Sequence, residues 1–199
     1  MYNIICVTNR QLCEGDFLHR IERIAFNHPN GIILREKDLS EEAYKQLAKQ
    51  VFQICTKHQV PCILHSFVDV AIELGAQAIH LPLPILRDVT ETKKTRFQVI
   101  GSSCHSIKEA LEAQRLGCSY IIAGHIFSTD CKKGLEGRGL HFLEHVCASV
   151  SIPVYAIGGI DQDNIGAVHE AGAKGGCVMS GLMKCCDVAT YFARYEKSE

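Results

Sequence analysis

The sequence lacks three features that would place the protein in a specialised class. It has no apolar run of the roughly 20 residues that a membrane-spanning helix needs. It has no cluster of basic residues, because Lys and Arg are scattered along the chain and the formal net charge is -1. It also has no linker or low-complexity stretch between its apolar segments. We therefore expect one domain over residues 1–199, with neither nucleic acid nor a membrane as its partner.

The cysteines do not form a disulfide or zinc pattern. There are 11 of them, an odd number, with no CxxC pair and no zinc-finger spacing. The opening residues MYNIICVTNR lack the basic start and long apolar core of a secretory signal. Cys6, Cys62 and Cys177 fall in apolar runs, where a free thiol packs like a small hydrophobe. These features predict a soluble protein of the reducing cytoplasm.

Short apolar runs alternate with amphipathic segments along the whole chain. The predicted strands are residues 4–7, 31–34, 61–64, 78–81, 98–100, 120–124, 154–157 and 176–179. Helical segments follow them; one is capped by Ser40, and three end at Gly75, Gly117 and Gly172, as a left-handed helix stop requires. The last of these helices is predicted over residues 161–171, and Pro82 and Pro84 are expected to interrupt regular structure after the fourth strand. Eight such units are typical of a (β/α)8 TIM barrel, although a doubly wound open sheet also alternates strands with helices.

Residues 124–139, GHIFSTDCKKGLEGRG, form a long loop after the sixth predicted strand. Long loops in compact domains usually have a function. This one begins with His125 and carries Lys132, Lys133 and Arg138. We interpret it as a cationic lid over an anionic small molecule, with His125 beneath it as the proton carrier, since histidine exchanges protons near neutral pH.

Two glycine-containing turns follow the last two predicted strands. Gly158 and Gly159 come after strand seven, and Ser180 and Gly181 come after strand eight. In TIM barrels the loops at these positions often bind phosphate through backbone N–H groups. The simpler reading is two tight turns, but their shared position favours a phosphate site.

Other polar residues at strand ends have competing interpretations. Arg35 and Lys37, together with Lys132 and Lys133 in the loop, could meet a second anionic group such as a carboxylate, although most such residues are solvated surface. The histidines at positions 65, 80, 105 and 125 could suggest a metal, but no HxH pair or acidic ligand set accompanies them. His80 is better explained as a hydrogen-bonded core residue.

Cys104 and Cys131 also fall near these loops. Neither has an adjacent base in the sequence that would make it a nucleophile.

Five segments together resemble the thiamin phosphate synthase and TenI superfamily. They are ILREKD at 33–38, GSSCH at 101–105, the loop at 124–139, AIGGI at 156–160 and MSG at 179–181. The resemblance covers nearly the whole chain and implies a TIM barrel. It also implies that Ser103, in the second segment, joins Arg35, Lys37 and Lys132 in binding substrate.

The superfamily contains two chemistries, and the resemblance distinguishes them. The synthases hold magnesium and pyrophosphate with aspartates after strands three and four, where this chain has Ser66 and Ile85. The 124–139 loop is instead similar to the TenI branch, which includes thiazole tautomerases, and the branch's histidine corresponds to His125. The implied activity is that of a cofactor-independent isomerase with no metal, acting on a thiazole phosphate carboxylate.

Two alternatives stay open at this point. One is thiamin phosphate synthase itself, a transferase, and the other is an inactive regulatory protein that binds a thiazole phosphate. Oligomeric state does not follow from the sequence, and a homodimer is only the base-rate expectation.

Overall fold

The computed structural model describes residues 1–129 and 134–195. Eight parallel strands form a closed barrel in chain order. They are β1 (Asn3–Val7), β2 (Gly31–Leu34), β3 (Cys62–His65), β4 (Ala78–Pro82), β5 (Val99–Cys104), β6 (Tyr120–Gly124), β7 (Val154–Ile157) and β8 (Gly175–Val178). Because β1 pairs with β8 as well as with β2, the barrel prediction is confirmed and the open sheet is excluded.

Helices surround the barrel. They are α1 (Phe17–Phe26), α2 (Glu41–Lys57), α3 (Val68–Glu73), α4 (Leu83–Asp88), α5 (Glu91–Lys94), α6 (Ile107–Arg115), α7 (Gly139–Ser149), α8 (Ile165–Glu170), α9 (Ser180–Lys184) and α10 (Val188–Ala193). The predicted cap is present, since Ser40 Oγ accepts a hydrogen bond of 3.3 Å from the Ala43 N–H. Gly75, Gly117 and Gly172 have φ angles of 67°, 89° and 91°, as predicted for helix stops.

The structure corrects two predicted boundaries. The segment around Pro82 and Pro84 was expected to interrupt regular structure, but α4 begins there, because a proline in the first helical turn loses no intrahelical hydrogen bond. The helix before β8 starts at Ile165 instead of residue 161. The Asp161 side chain accepts a hydrogen bond from the Asn164 N–H, and the Asn164 side chain accepts one from the Asp161 N–H. These residues therefore form a turn before the helix.

Apolar side chains form two layers on either side of the sheet. The larger layer lies between the strands and the helices and includes Ile32, Ile79 and Ile121. The smaller layer fills the barrel interior and includes Ile5, Ile33, Ile63, Ile122 and Tyr120. A side chain at Gly101 would collide with the ring of Tyr120, so the interior leaves this tyrosine little room to move. All carboxyl ends of the strands meet at one mouth of this packed interior.

The ten cysteines in the described part of the chain are free thiols. In that same part, no helix is both long and apolar enough to span a bilayer.

Candidate active site

A cavity of about 350 Å³ opens at the carboxyl ends of the strands. Its lining includes eight of the nine residues that the sequence predicted for the site: His125, Arg35, Lys37, Ser103, Gly158, Gly159, Ser180 and Gly181. The ninth, Lys132, lies outside the described residues, as does Lys133. The barrel thus brings together residues that are up to 146 positions apart in the chain, from Arg35 to Gly181.

The described lining contains two cationic side chains and no carboxylate. Within residues 1–129 and 134–195, no acidic group pairs with the Arg35 guanidinium or the Lys37 amine. Burial and the neighbouring Arg35 lower the pKa of Lys37. Two like charges beside an apolar interior favour a bound anion, which would offset their repulsion.

A buried carboxylate next to these cations positions them. Glu36 is 2% exposed, and it accepts hydrogen bonds from Thr8 Oγ1 at 2.6 Å and from the Arg10 N–H at 3.0 Å. The Arg35 N–H in turn donates to Thr8 Oγ1 at 2.9 Å. Glu36 therefore fixes the end of β2 from the side away from the cavity, while Arg35 and Lys37 line the cavity. No role was predicted for Glu36 from the sequence. Extending the alternation of β2 past Leu34 would have placed Glu36 on the opposite side from Arg35 and Lys37.

The two predicted phosphate turns have free backbone donors. The N–H groups of Gly158, Gly159, Ser180 and Gly181 have no hydrogen-bond acceptor among the described residues. Gly158 and Gly159 have φ angles of 99° and 65°, which favour glycine. Four N–H groups without partners at one side of a cavity are suited to phosphate oxygens.

Close packing gives a second reason for these glycines. A Cβ on Gly158 would collide with the Cβ of His125, and a Cβ on Gly159 would lie 2.7 Å from the backbone oxygen of Ser128. The glycines thus let the turn after β7 touch the segment after β6, which brings His125 beside the candidate phosphate site.

His125 lies at the start of the long loop and is 6% exposed. Its backbone oxygen accepts a hydrogen bond of 3.0 Å from the Arg138 N–H, and its Nε2 lies 3.4 Å from the backbone oxygen of Leu135. The returning arm of the loop therefore covers the histidine. The Arg138 guanidinium stacks over the Phe142 ring at 5.3 Å and does not line the cavity, so it is not part of a cationic lid.

His65 and His80 line the cavity as uncharged rings. Burial, with the neighbouring His80 and Lys37, lowers the pKa of His65 to about 2. Burial, with Lys37, lowers the pKa of His80 to about 3. The prediction that His80 is a hydrogen-bonded core residue holds, since it is 2% exposed, but the ring also reaches the cavity.

The residues at the mouth do not fit a magnesium ion, which requires oxygen ligands, usually carboxylates. The described lining has no carboxylate, Ser66 Oγ pairs with His65 Nδ1 at 2.7 Å, and Ile85 does not line the cavity. In the described part of the chain, no three His, Cys, Asp or Glu side chains are grouped so as to hold a metal.

Cys104 and Cys177 are poor nucleophiles. Burial raises the pKa of Cys104 to about 12, and Cys104 does not line the cavity. Cys177 does line it, but burial raises its pKa as well. Cys131 lies outside the described residues.

Comparisons with known proteins show what the whole chain is similar to. The model of the family described as thiamine monophosphate synthase matches residues 4–182. A thiamine-phosphate synthase of Clostridium tetani is 32% identical over 198 residues, covering 94% of this chain and 93% of that protein. Thiamine-phosphate synthase 2 of Streptococcus pneumoniae is 35% identical over 188 residues, covering 92% and 88%. The solved thiamine phosphate pyrophosphorylase of Pyrococcus furiosus superposes with a TM-score of 0.83 at 27% identity, covering 97% and 93%.

Replacing the buried carboxylate should destabilise the fold. Glu36→Gln keeps the shape of the side chain but places an amide against the Thr8 and Arg10 donors, so we expect the free energy of unfolding in urea to fall by about 2–3 kcal/mol. Asp38→Asn is the matched control, because Asp38 also pairs with Arg10 but is exposed. Its unfolding curve should stay close to that of the wild type. Equal stability of the two variants would contradict the positioning role of Glu36.

The two uncharged histidines should make stability depend on pH. Their folded pKa values lie below the ordinary value near 6.5, so the unfolded chain binds two protons that the folded chain does not. The stabilisation is complete above pH 6.5 and is lost as the pH falls through that value. Between pH 7.5 and 5.5, each histidine should reduce the free energy of unfolding by about 1.4 kcal/mol.

Urea titrations at the two pH values test this expectation. The two histidines together should lower the free energy of unfolding between pH 7.5 and 5.5, and His65→Gln or His80→Gln should each remove about half of that change. His141→Gln on α7, where the ring meets water in both states, should retain the wild-type change. If His65→Gln and His80→Gln also retain it, these rings are not buried in the neutral form.

Proposed function

Since the chain belongs to the thiamine monophosphate synthase family, we propose that it acts in thiamine biosynthesis as a thiazole tautomerase. This isomerase would aromatise a carboxythiazole phosphate by moving one proton. The observation that carries the proposal is the composition of the cavity. Its described lining combines His125, unpaired cations and free N–H groups with no carboxylate.

Two charged groups of the substrate would fix its orientation. The phosphate would accept hydrogen bonds from the N–H groups of Gly158, Gly159, Ser180 and Gly181, which follow β7 and β8. The carboxylate would lie across the barrel mouth toward Arg35 and Lys37, whose charges lack a partner among the described residues. Lys132, in the loop, would be a further donor to the carboxylate. Binding at both ends holds the ring in the centre of the cavity.

His125 would carry the proton. In a tautomerisation one carbon loses a proton and another gains one, so the reaction needs a base and an acid but no oxidant. One imidazole can do both in turn, and such general acid–base catalysis is typically worth about 10²–10⁴ in rate. His125 is suited to this role because the glycine turn after β7 packs directly against it.

The second candidate is thiamine-phosphate synthase, a transferase. It is favoured by the names of the similar proteins from Clostridium tetani and Streptococcus pneumoniae. The lack of a carboxylate in the described lining speaks against it, because pyrophosphate departure in that reaction relies on magnesium held by aspartates. We therefore place the tautomerase first.

Replacing the histidine should separate catalysis from binding. For His125→Gln we expect the tautomerisation rate to fall about 10²- to 10⁴-fold, while the affinity for the carboxythiazole phosphate product changes little. The rate is followed spectroscopically against the spontaneous reaction, and product affinity is measured by calorimetry. His141→Gln on the exposed face of α7 is the control and should have full activity.

Three outcomes distinguish the candidates. Full tautomerase activity in His125→Gln would contradict the role of this histidine. Product binding by the wild type without any acceleration would indicate a binding protein. Formation of thiamine phosphate from the pyrimidine diphosphate and the thiazole phosphate, with magnesium present, would indicate the synthase.

A further inference from the structure

Three side chains form a hydrogen-bonded row from the barrel interior to the cavity. Tyr120 Oη lies 3.1 Å from His80 Nδ1, and His80 Nε2 lies 2.8 Å from Ser103 Oγ. Tyr120 and His80 are 7% and 2% exposed, whereas Ser103 and His80 both line the cavity. The row crosses the three neighbouring strands β4, β5 and β6.

Burial of the tyrosine determines the direction of the first hydrogen bond. Burial raises the pKa of Tyr120, so its hydroxyl keeps its proton near neutral pH. The only partner of that hydroxyl among the described residues is His80 Nδ1. If the hydroxyl accepted a proton from Nδ1, its own hydrogen would be buried without an acceptor, which is costly. Tyr120 must therefore donate, and Nδ1 must accept.

The direction of the second hydrogen bond follows from the first. An uncharged imidazole has one ring proton, and in His80 it must be on Nε2, because Nδ1 is an acceptor. Nε2–H then donates to Ser103 Oγ. No other described residue accepts a hydrogen bond from the Ser103 hydroxyl, so its hydrogen is directed into the cavity. The network of hydrogen-bond partners thus determines the tautomer.

We propose that His80, held in a single tautomer by Tyr120, is a positioning residue that makes the Ser103 hydroxyl a fixed hydrogen-bond donor to the carboxylate of the substrate. Ser103 is on β5, between β4, which carries His80, and β6, which His125 follows, whereas the N–H groups suited to phosphate follow β7 and β8. The donor therefore faces the end of the ligand that lacks the phosphate. The identity of the ligand in this inference rests on the proposed function. The direction of the hydrogen bonds in the row is independent of it.

The direction can be measured in the protein without a ligand. Nitrogen-15 chemical shifts of the ring distinguish a protonated Nε2 from a protonated Nδ1, and we expect His80 to show the Nε2–H tautomer near neutral pH. His80→Gln identifies the signals. Tyr120→Phe keeps the ring that packs on Gly101 and should allow both tautomers, because Nδ1 loses its donor. An Nδ1–H tautomer in the wild type would overturn the proposal.

Binding measurements test whether the row acts through the serine. Ser103→Ala should weaken the affinity for carboxythiazole phosphate about tenfold, as for one hydrogen bond to a charged group, and Tyr120→Phe should weaken it several-fold. In the double variant the loss should equal that of Ser103→Ala alone, because Tyr120 has no other route to the ligand. Thiazole phosphate without the carboxylate should bind equally to all these variants.

Tyr155→Phe is the matched control. It removes a hydroxyl from a neighbouring interior ring, which meets the Tyr120 ring edge-on at 5.9 Å, and it should leave both affinities unchanged. Losses that add up in the double variant, or an equal loss for the ligand without a carboxylate, would overturn the positioning role. Failure of the wild type to bind either thiazole phosphate would instead overturn the proposed function, and with it the assignment of Ser103 to a carboxylate.

Discussion

Positive charge without a described counter-ion is the constraint on which the rest of the site depends. Arg35 and Lys37 lie side by side at the end of β2, and the cavity lining beside them offers no described carboxylate. Glu36, between them in sequence, is buried on the side away from the cavity, where it accepts hydrogen bonds from Thr8 and Arg10. These bonds fix the end of β2 despite the repulsion between the two cations. Successive side chains thus point to opposite faces, which separates the carboxylate from the two cations. An anion in the cavity would complete the arrangement electrostatically.

The neutral groups of the cavity are as constrained as the charged ones. Tyr120 is packed on Gly101, His80 is fixed by two hydrogen bonds, and His125 is in contact with the turn at Gly158. Donors that are already oriented before the ligand arrives need little reorganisation when charge shifts in the substrate. The proton transfer that we propose would benefit from such a site, because the two ends of the ligand would be held while its electrons move.

The sequence predicted much of the fold and of the cavity lining. Alternation of apolar runs and glycine stops such as Gly117 indicated either a barrel or an open sheet, and the family resemblance favoured the barrel. Because parallel strands end at one mouth, residues that follow strands had to converge. What it missed depends on tertiary contacts. Glu36 reads as a solvated charge until Thr8 and Arg10 are placed around it, and Arg138 reads as a lid cation until α7 brings Phe142 beneath it. The start of α4 at Leu83, between Pro82 and Pro84, was obscured because proline is both a helix breaker and a favoured first-turn residue.

Family membership and residue chemistry point to different activities within thiamine biosynthesis. The similar proteins are named as synthases, whereas this cavity has unpaired donors suited to two anionic groups and lacks, among its described residues, the oxygen ligands for magnesium. The most direct test is the affinity for carboxythiazole phosphate, measured by calorimetry in EDTA and again in millimolar magnesium. Our account predicts equal affinities. Binding that appears only with magnesium, or that strengthens tenfold or more with it, would contradict a site built to hold the phosphate and the carboxylate by protein groups alone.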